Sequence, residues 1–198
     1  MDGDQRTALL AAARSGDQRA FGILIDTVTV RLSIFLRRNG GRALGADCDA
    51  DDLFQETTVR AWSLLERFED RGPDSFYRWV VALAKGIISN RLKYVDSRGR
   101  GDVRHVESVV EGGADRGAFD SKTSLASLVA RRDEIRQLDR AMGRLDDASR
   151  QLVERSVLEG ATISELAQET GLARTTVWNQ LASALSEIKR STGEAGRD

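Results

Sequence analysis

The chain contains very little cysteine, histidine and proline, and each scarcity excludes a class of site or fold. One cysteine, Cys48, cannot form an internal disulfide, and a single histidine, His105, leaves too few ligands for a His/Cys metal cluster. Proline occurs once, at Pro73, and alternating runs of β-branched residues are almost absent, which disfavours a β-sheet fold. We therefore expect a helical protein with neither a structural disulfide nor a metal centre.

Long apolar runs and catalytic signatures are also missing. No stretch approaches the roughly 20 apolar residues that cross a bilayer, and the first four residues lack the basic and then apolar pattern of a secretory signal. The sequence shows no nucleophile–base pair, phosphate-cradling glycine loop or cofactor motif. These absences predict a cytoplasmic protein that is not an enzyme and that needs no cofactor.

Charge is balanced over the whole chain but divided unevenly along it. The formal net charge is −1, yet residues 49–70 carry seven acidic and two basic side chains. Residues 78–104 carry seven basic and two acidic side chains. This separation predicts two partners of opposite charge, although ordinary solvated helix faces would give a similar pattern.

Apolar residues recur at three- and four-residue spacing over most of the chain, which is typical of amphipathic helices. The pattern predicts helices over 5–14, 18–38, 50–67, 75–95, 125–143, 148–158, 163–170 and 174–190. Residues 97–124 are rich in glycine and charge, which favours a flexible linker over a surface loop inside one domain. The predicted fold is all-α, with two small helical domains, 1–96 and 125–192, joined by the flexible linker 97–124.

The segment from Thr162 to Lys189 has the pattern of a helix-turn-helix. Thr162 and Glu165 can form a capping box, Gly171 suits a left-handed turn, and Val177 can pack the second helix back. The second helix of this motif enters the major groove and would present Arg174, Thr175, Trp178, Asn179 and Gln180. Asn and Gln can read adenine, and Arg can contact guanine or phosphate. An ordinary helical hairpin is the alternative.

An acidic helix is predicted after residue 49. Asp49 can cap this helix, and Leu53, Val59 and Trp62 are expected to face inward. Three polar side chains would then remain on the surface for a basic partner, namely Asp52, Gln55 and Glu56.

A second helix, which follows Pro73, combines aromatic side chains with a basic stripe. The stripe consists of Arg78, Lys85, Ser89 and Lys93. Aromatic rings beside basic groups suit single-stranded nucleic acid, because bases stack on the rings and the cations neutralise phosphates. Phe76 is expected in the core, whereas Tyr77 and Trp79 could face either the core or the bases.

These motifs, in this order, resemble the extracytoplasmic-function (group IV) sigma factors of bacterial RNA polymerase. The resemblance rests on D-A-D-D-L-F-Q-E-T, R-A-W, F-Y-R-W-V and the helix-turn-helix, and it covers about 15–95 and 133–190. It implies that 1–96 is a region-two domain that binds core polymerase and the minus-ten promoter element. It implies that 125–192 is a region-four domain for the minus-thirty-five element.

The resemblance also implies a role for individual residues. The polymerase contact would consist of Asp52, Gln55 and Glu56. The minus-ten loop corresponds to 68–76, and the flipped base and melted strand would contact Arg71, Tyr77, Arg78, Trp79, Lys85, Asn90, Arg91 and Lys93. The minus-thirty-five element would contact Arg174, Thr175, Thr176, Trp178, Asn179 and Gln180.

Several positions depart from the family pattern. Gly86 stands where the family usually has Asn, and Leu145-Asp146 replaces a Leu-Pro pair before region four. Trp178, Gln180 and Ser183 occupy positions that are usually basic. These differences bear on promoter sequence and upstream affinity rather than on the family.

The resemblance implies three partners: bacterial core RNA polymerase, promoter DNA as duplex and as melted single strand, and an anti-sigma factor. The alternative is a stand-alone helix-turn-helix regulator that binds duplex operators as a dimer. That alternative leaves the acidic helix unexplained.

Overall fold

The computed structural model describes residues 1–44, 49–99, 119, 126 and 128–194. Every regular element in these ranges is helical, and the chain divides into two compact units, 1–129 and 130–198. The predicted all-α class with two helical domains is confirmed. The predicted linker 97–124 lies almost entirely outside the described residues, as do Cys48 and His105, and its boundaries stay a prediction.

Besides helical residues at 126, 128 and 129, the described part of the first unit includes five α-helices. They are α1 (Gly3–Arg14), α2 (Gln18–Asp26), α3 (Thr29–Leu44), α4 (Ala50–Leu64), which a 3₁₀ turn (Leu65–Arg67) follows, and α5 (Ser75–Gly99). Helices α1 and α2 pack together as a hairpin, and α3, α4 and α5 all contact one another. The packing of these three helices places α4 and α5 side by side, with their polar faces directed outward.

Helices α2 and α3 replace the single helix that the sequence predicts over 18–38. Residues 27–30 are all β-branched, which lowers their helix propensity. The Thr27 hydroxyl donates to the Leu24 carbonyl at 2.6 Å and satisfies one of the last carbonyls of α2. The break lets Phe21 of α2 and Phe35 of α3 both enter the core.

The core of the first unit is rich in aromatic side chains. Phe21 and Trp62 are buried with their ring centroids 5.2 Å apart. Phe119, from the segment predicted as a linker, is also buried, 5.2 Å from Phe21 and 5.7 Å from Trp62 between ring centroids.

The prediction that Val59 of α4 faces inward is wrong, because Val59 is 43% exposed. The inward face of α4 is formed by Leu53, Phe54, Thr57, Thr58, Ala61 and Trp62.

The second unit contains four α-helices within its described part. They are α6 (Arg132–Arg144), α7 (Asp147–Val153), which a π-helical turn (Glu154–Leu158) continues, α8 (Ile163–Thr170) and α9 (Arg174–Glu194). Helix α9 contacts α6, α7 and α8 and contributes Val177, Leu181 and Ile188 to the core. None of the helices in the described ranges combines the length and the apolar character that a bilayer span requires.

Gly171 provides a test of the turn between α8 and α9. It has a φ of 70°, and an added Cβ would meet no atom within 4 Å, so a side chain there is penalised only by the backbone conformation. We expect Gly171→Ala to lower the free energy of unfolding of the second unit by about 1–2 kcal/mol, measured by urea denaturation.

Gly143→Ala is the matched control, because Gly143 is an exposed helical glycine of α6 with equally open space around it. It should leave stability unchanged or raise it by up to about 1 kcal/mol. Equal effects of the two substitutions would contradict the role of the left-handed turn.

Candidate nucleic-acid interface

Helix α4 presents the predicted polymerase contact on its outer face. The Asp49 carboxylate caps the helix by accepting from the Asp51 N–H at 2.8 Å. The inner face buries Leu53, Phe54, Thr57, Thr58, Ala61 and Trp62. Asp52 is exposed, and Gln55 and Glu56 are half-buried. The three predicted residues therefore lie together on the side of α4 that faces away from the core.

Glu56 forms an ion pair with Arg91 of α5. The Arg91 Nε and a terminal nitrogen both donate to the same Glu56 oxygen, at 3.1 and 2.5 Å, and the two side chains are 38% and 41% exposed. A residue predicted to contact polymerase thus pairs with a residue predicted to contact DNA. The two surfaces adjoin, and a change at Glu56 also alters the environment of Arg91.

The loop between the 3₁₀ turn and α5 is held in place by Asp70. Its carboxylate accepts from the Arg6 Nε at 2.8 Å, the Gly72 N–H at 3.1 Å and the Ser75 hydroxyl at 2.7 Å. Partial burial acts to raise the pKa of Asp70, but the hydrogen bonds from Arg6, Ser75 and Gly72 outweigh it and hold the pKa below its ordinary value. Arg14 of α1 adds a second anchor by donating to the Phe68 carbonyl at 2.5 Å.

An aromatic cluster and a cavity lie behind this loop. Trp79 packs against Phe68 and Phe76, with ring centroids 5.1 and 5.9 Å apart, and only Trp79 of the three is partly exposed. A cavity of about 490 Å³ opens beside the Trp79 ring. Its lining also includes Arg67, Phe68, Glu69, Arg71, Ser75 and Arg78. The cavity therefore combines two aromatic residues, of which only Trp79 is partly exposed, with three arginines and one carboxylate.

Tyr77 and Trp79, which the sequence left open, occupy different environments. Tyr77 is buried, with the Arg31 guanidinium 3.7 Å from its ring centroid, and Arg31 also pairs with Asp74 at 2.6 Å. The structure therefore places Tyr77 in the core, where no base can reach its ring, and gives no support to its predicted role as a DNA contact. Trp79 instead lines the cavity.

Apart from the half-buried Arg91, the remaining residues predicted to bind the minus-ten strand lie on exposed parts of the first unit. The exposed set is Arg71, Arg78, Lys85, Asn90 and Lys93. Arg71 belongs to the loop and pairs with Glu69 at 2.8 Å, while the others lie along α5. A basic track therefore runs from the cavity along α5.

The helix-turn-helix of the second unit has the predicted geometry. The Thr162 N–H donates to the Glu165 carboxylate at 2.7 Å, and the Glu165 N–H donates to the Thr162 hydroxyl at 3.2 Å. Gly171 adopts the left-handed conformation, and Val177 is fully buried. All six side chains predicted to meet the minus-thirty-five element are exposed: Arg174, Thr175, Thr176, Trp178, Asn179 and Gln180.

Two polar side chains whose contacts sequence reasoning missed, Arg155 and Asp146, stabilise this unit. Arg155 of the π-helical turn donates to Glu159 at 2.7 Å and to Glu169 of α8 at 3.0 Å. Asp146 caps α7 by accepting from the Ser149 N–H at 2.9 Å, and this hydrogen bonding to Ser149 lowers the pKa of Asp146. The cap places Leu145-Asp146, which departs from the family pattern, directly before the first turn of α7.

Comparisons with known families match both units. The model for "Sigma-70 region 2" matches residues 31–98, and the model for "Sigma-70, region 4" matches residues 135–188. Together they span well over half of the chain. The first match includes α4, the loop and α5, and the second includes the helix-turn-helix.

Three curated relatives cover nearly the whole chain. The RNA polymerase sigma factor CnrH of Cupriavidus metallidurans is 28% identical over 93% of both chains. The ECF RNA polymerase sigma factors RpoE of Cereibacter sphaeroides and SigL of Mycobacterium tuberculosis are 27% and 25% identical, each over 92% of this chain and over 92% and 96% of their own lengths. This chain is an extracytoplasmic-function sigma factor. The resemblance noted from the sequence is confirmed.

An extracytoplasmic-function sigma factor is a promoter-specificity subunit of RNA polymerase, so the alternative of a stand-alone regulator is not favoured. A solved structure of CnrH in complex with the cytosolic domain of CnrY is 24% identical to this chain over 96% of both chains, with a TM-score of 0.43.

Asp70 offers a test of how the loop is held. Asp70→Ala should lower the free energy of unfolding at pH 7 by about 1–3 kcal/mol, because it removes hydrogen bonds to a charged acceptor. The folded-state pKa lies below the ordinary 3.8, so the stabilisation is complete well above that pH and disappears as the pH falls through the folded-state pKa. Urea unfolding at pH 7 and pH 3.5 should therefore give a smaller difference from the parent protein at the lower pH.

Glu69→Ala is the control for this test. Glu69 neighbours Asp70, but its side chain is 74% exposed and pairs with Arg71, which is itself 79% exposed. Its removal should change stability by less than about 0.5 kcal/mol. A loss as large as that of Asp70→Ala would show that the Asp70 network does not hold the loop.

Proposed function

We propose that this sigma factor divides promoter recognition and polymerase binding among three surfaces. The cavity and the basic track on α5 bind the melted minus-ten strand. The exposed turns of α9 read the duplex minus-thirty-five element, and the outer face of α4 binds core RNA polymerase. The observation that carries the proposal is the cavity beside Trp79, because it places an aromatic face among arginines.

The cavity has the composition that a melted strand requires. The partly exposed Trp79 ring can stack on a base, while Arg71 and Arg78 can neutralise the adjoining phosphates. Lys85 and Lys93 extend the positive charge along α5. The hydrogen bonds to Asp70 fix the loop before DNA arrives, which reduces the entropy lost on binding.

Helix α9 carries the duplex contact in this proposal. Its exposed Asn179 and Gln180 can read adenine, and Arg174 can contact guanine or phosphate. Gly171 and the capping box fix the angle between α8 and α9, so the recognition helix is presented as a rigid element.

The polymerase contact depends on exposed negative charge at the start of α4. Asp51 and Asp52 lie in the first turn, and Asp52 is exposed. Such a surface suits a basic partner and would act mainly on the rate and specificity of association. Glu56 contributes through a charge that Arg91 partly neutralises.

The proposed partners are core RNA polymerase and promoter DNA, in duplex and melted form, and the proposed location is cytoplasmic. The sequence relative CnrH, 28% identical to this chain, has been solved in complex with the cytosolic domain of CnrY. We propose by analogy an anti-sigma partner that covers one or both domains of this chain. Co-purification from the native host that returned only polymerase subunits would oppose this last partner.

Run-off transcription from a genomic promoter library tests the function. Core polymerase should yield discrete transcripts only when this sigma factor is added, and those transcripts define both promoter elements. Arg71→Ala should then weaken holoenzyme binding to a single-stranded minus-ten oligonucleotide and reduce the salt slope by about 0.7, the value for one phosphate contact on a single strand.

The control for Arg71→Ala is Arg19→Ala, which removes an exposed arginine of α2 that lies outside the cavity. It should leave both affinity and salt slope unchanged. Equal effects of the two substitutions would show only a general attraction for DNA. Transcripts that do not depend on the added chain would contradict the function itself.

A charge exchange tests the polymerase surface. Asp52→Lys should weaken the complex with core polymerase about tenfold, because it reverses an exposed charge opposite a basic partner. Glu56→Lys should also weaken the complex with core polymerase, but in addition it replaces the ion pair with Arg91 by a repulsion between two positive charges. The double variant Glu56→Lys/Arg91→Glu restores an internal ion pair while keeping the reversed charge at residue 56.

The double variant should recover folding stability without recovering affinity for core polymerase, measured by titration with labelled polymerase. Full recovery of polymerase affinity would mean that Glu56 acts by supporting the fold. Normal affinity of the Asp52→Lys variant would place the polymerase contact elsewhere.

A further inference from the structure

Trp178 is an exposed aromatic residue in the middle of the recognition helix. Its side chain is 60% exposed, and within the described ranges it is the largest apolar side chain with more than half of its surface in solvent. The buried face of α9 passes instead through Val177, Leu181 and Ala184. Packing of the second unit therefore does not account for an indole at this position.

A hollow of about 720 Å³ lies beside the indole. Its lining consists of Ile163, Arg174, Thr175, Trp178 and Asn179. Ile163 is the first residue of α8, so both helices of the helix-turn-helix contribute to the hollow. The apolar part comes from Ile163, Trp178 and the Thr175 methyl, and the lining contains one cation and no carboxylate.

A hollow with this lining suits the major groove of duplex DNA, and in particular the methyl group of a thymine. The major groove presents mainly hydrogen-bonding edges, and its distinctive apolar group is the C5-methyl of thymine. Arg174 provides the positive charge that the adjoining phosphate requires, and no acidic side chain in the lining opposes it. Asn179 follows Trp178 directly and has the amide that reads adenine, the partner of thymine.

We propose that Trp178 and Ile163 form an apolar contact that reads the C5-methyl group of one thymine in the minus-thirty-five element. The sigma factor thereby selects an A·T pair at that position. The inference rests on the proposed function of α9 as the duplex-reading helix, and it adds the chemical group that is read and the residue that reads it.

Replacement of thymine by uracil tests the proposal, because it removes only the C5-methyl group. The probe is a promoter duplex obtained from the run-off library, with each thymine of the minus-thirty-five element changed in turn to deoxyuridine. Binding of the holoenzyme is measured at fixed salt. One replacement should weaken binding about three- to fivefold, the factor expected for burying one methyl group.

Trp178→Ala should bind the thymine and uracil probes equally, at or below the affinity of the parent protein for the uracil probe. Trp178→Leu keeps an apolar side chain and should retain part of the preference for thymine. Leu185→Ala is the control, since Leu185 is 40% exposed on the same side of α9 two turns further along. It should leave the thymine preference intact.

The inference would be overturned by equal binding of the thymine and uracil probes by the parent protein, by an unchanged thymine preference in Trp178→Ala, or by a minus-thirty-five element without an A·T pair. Loss of polymerase binding by Trp178→Ala in the absence of DNA would also overturn it and assign the hollow to a protein. Failure of the proposed function of α9 is distinguishable, because Arg174→Ala and Asn179→Ala would then leave minus-thirty-five binding unchanged.

Discussion

The packing of α4 against α5 is the constraint on which the first unit depends. The inner face of α4 carries Trp62 into an aromatic core, and this fixes which side of the helix meets solvent. The acidic residues of α4 and the basic residues of α5 then lie next to each other, and Glu56 and Arg91 join the two helices at the surface. Two surfaces of opposite charge can therefore adjoin in one small bundle, because the charges that meet at their boundary attract each other.

Local features of the fold were predictable from the sequence, whereas contacts between distant residues were not. The capping box at Thr162 and the left-handed Gly171 involve neighbours a few residues apart, so their residue types define them. Spacing alone misplaced Val59, because a helix with apolar and small residues on several sides has more than one plausible inner face. The burial of Tyr77 beneath Arg31 depends on packing between α3 and α5, which no local pattern encodes.

At the candidate site, the contacts that hold the loop before α5 could not be predicted from the sequence either. Asp70 lies 64 residues from Arg6 along the chain, yet their ion pair anchors the loop that borders the cavity. Family resemblance identified the loop, and composition identified Trp79 as a possible stacking residue. Neither indicated that α1, outside both matched family regions, supplies two arginines that hold the loop. The N-terminal hairpin is therefore part of the site's support.

The three tryptophans are distributed in a way that gives the protein built-in optical probes. Trp62 is buried in the first unit, Trp79 is partly exposed at the cavity, and Trp178 is largely exposed on α9. Indole emission shifts to longer wavelength with solvent exposure, and soluble quenchers reach only exposed rings. Folding, melted-strand binding and duplex binding would each alter the surroundings of a different indole, so unlabelled protein could report the order in which these events occur.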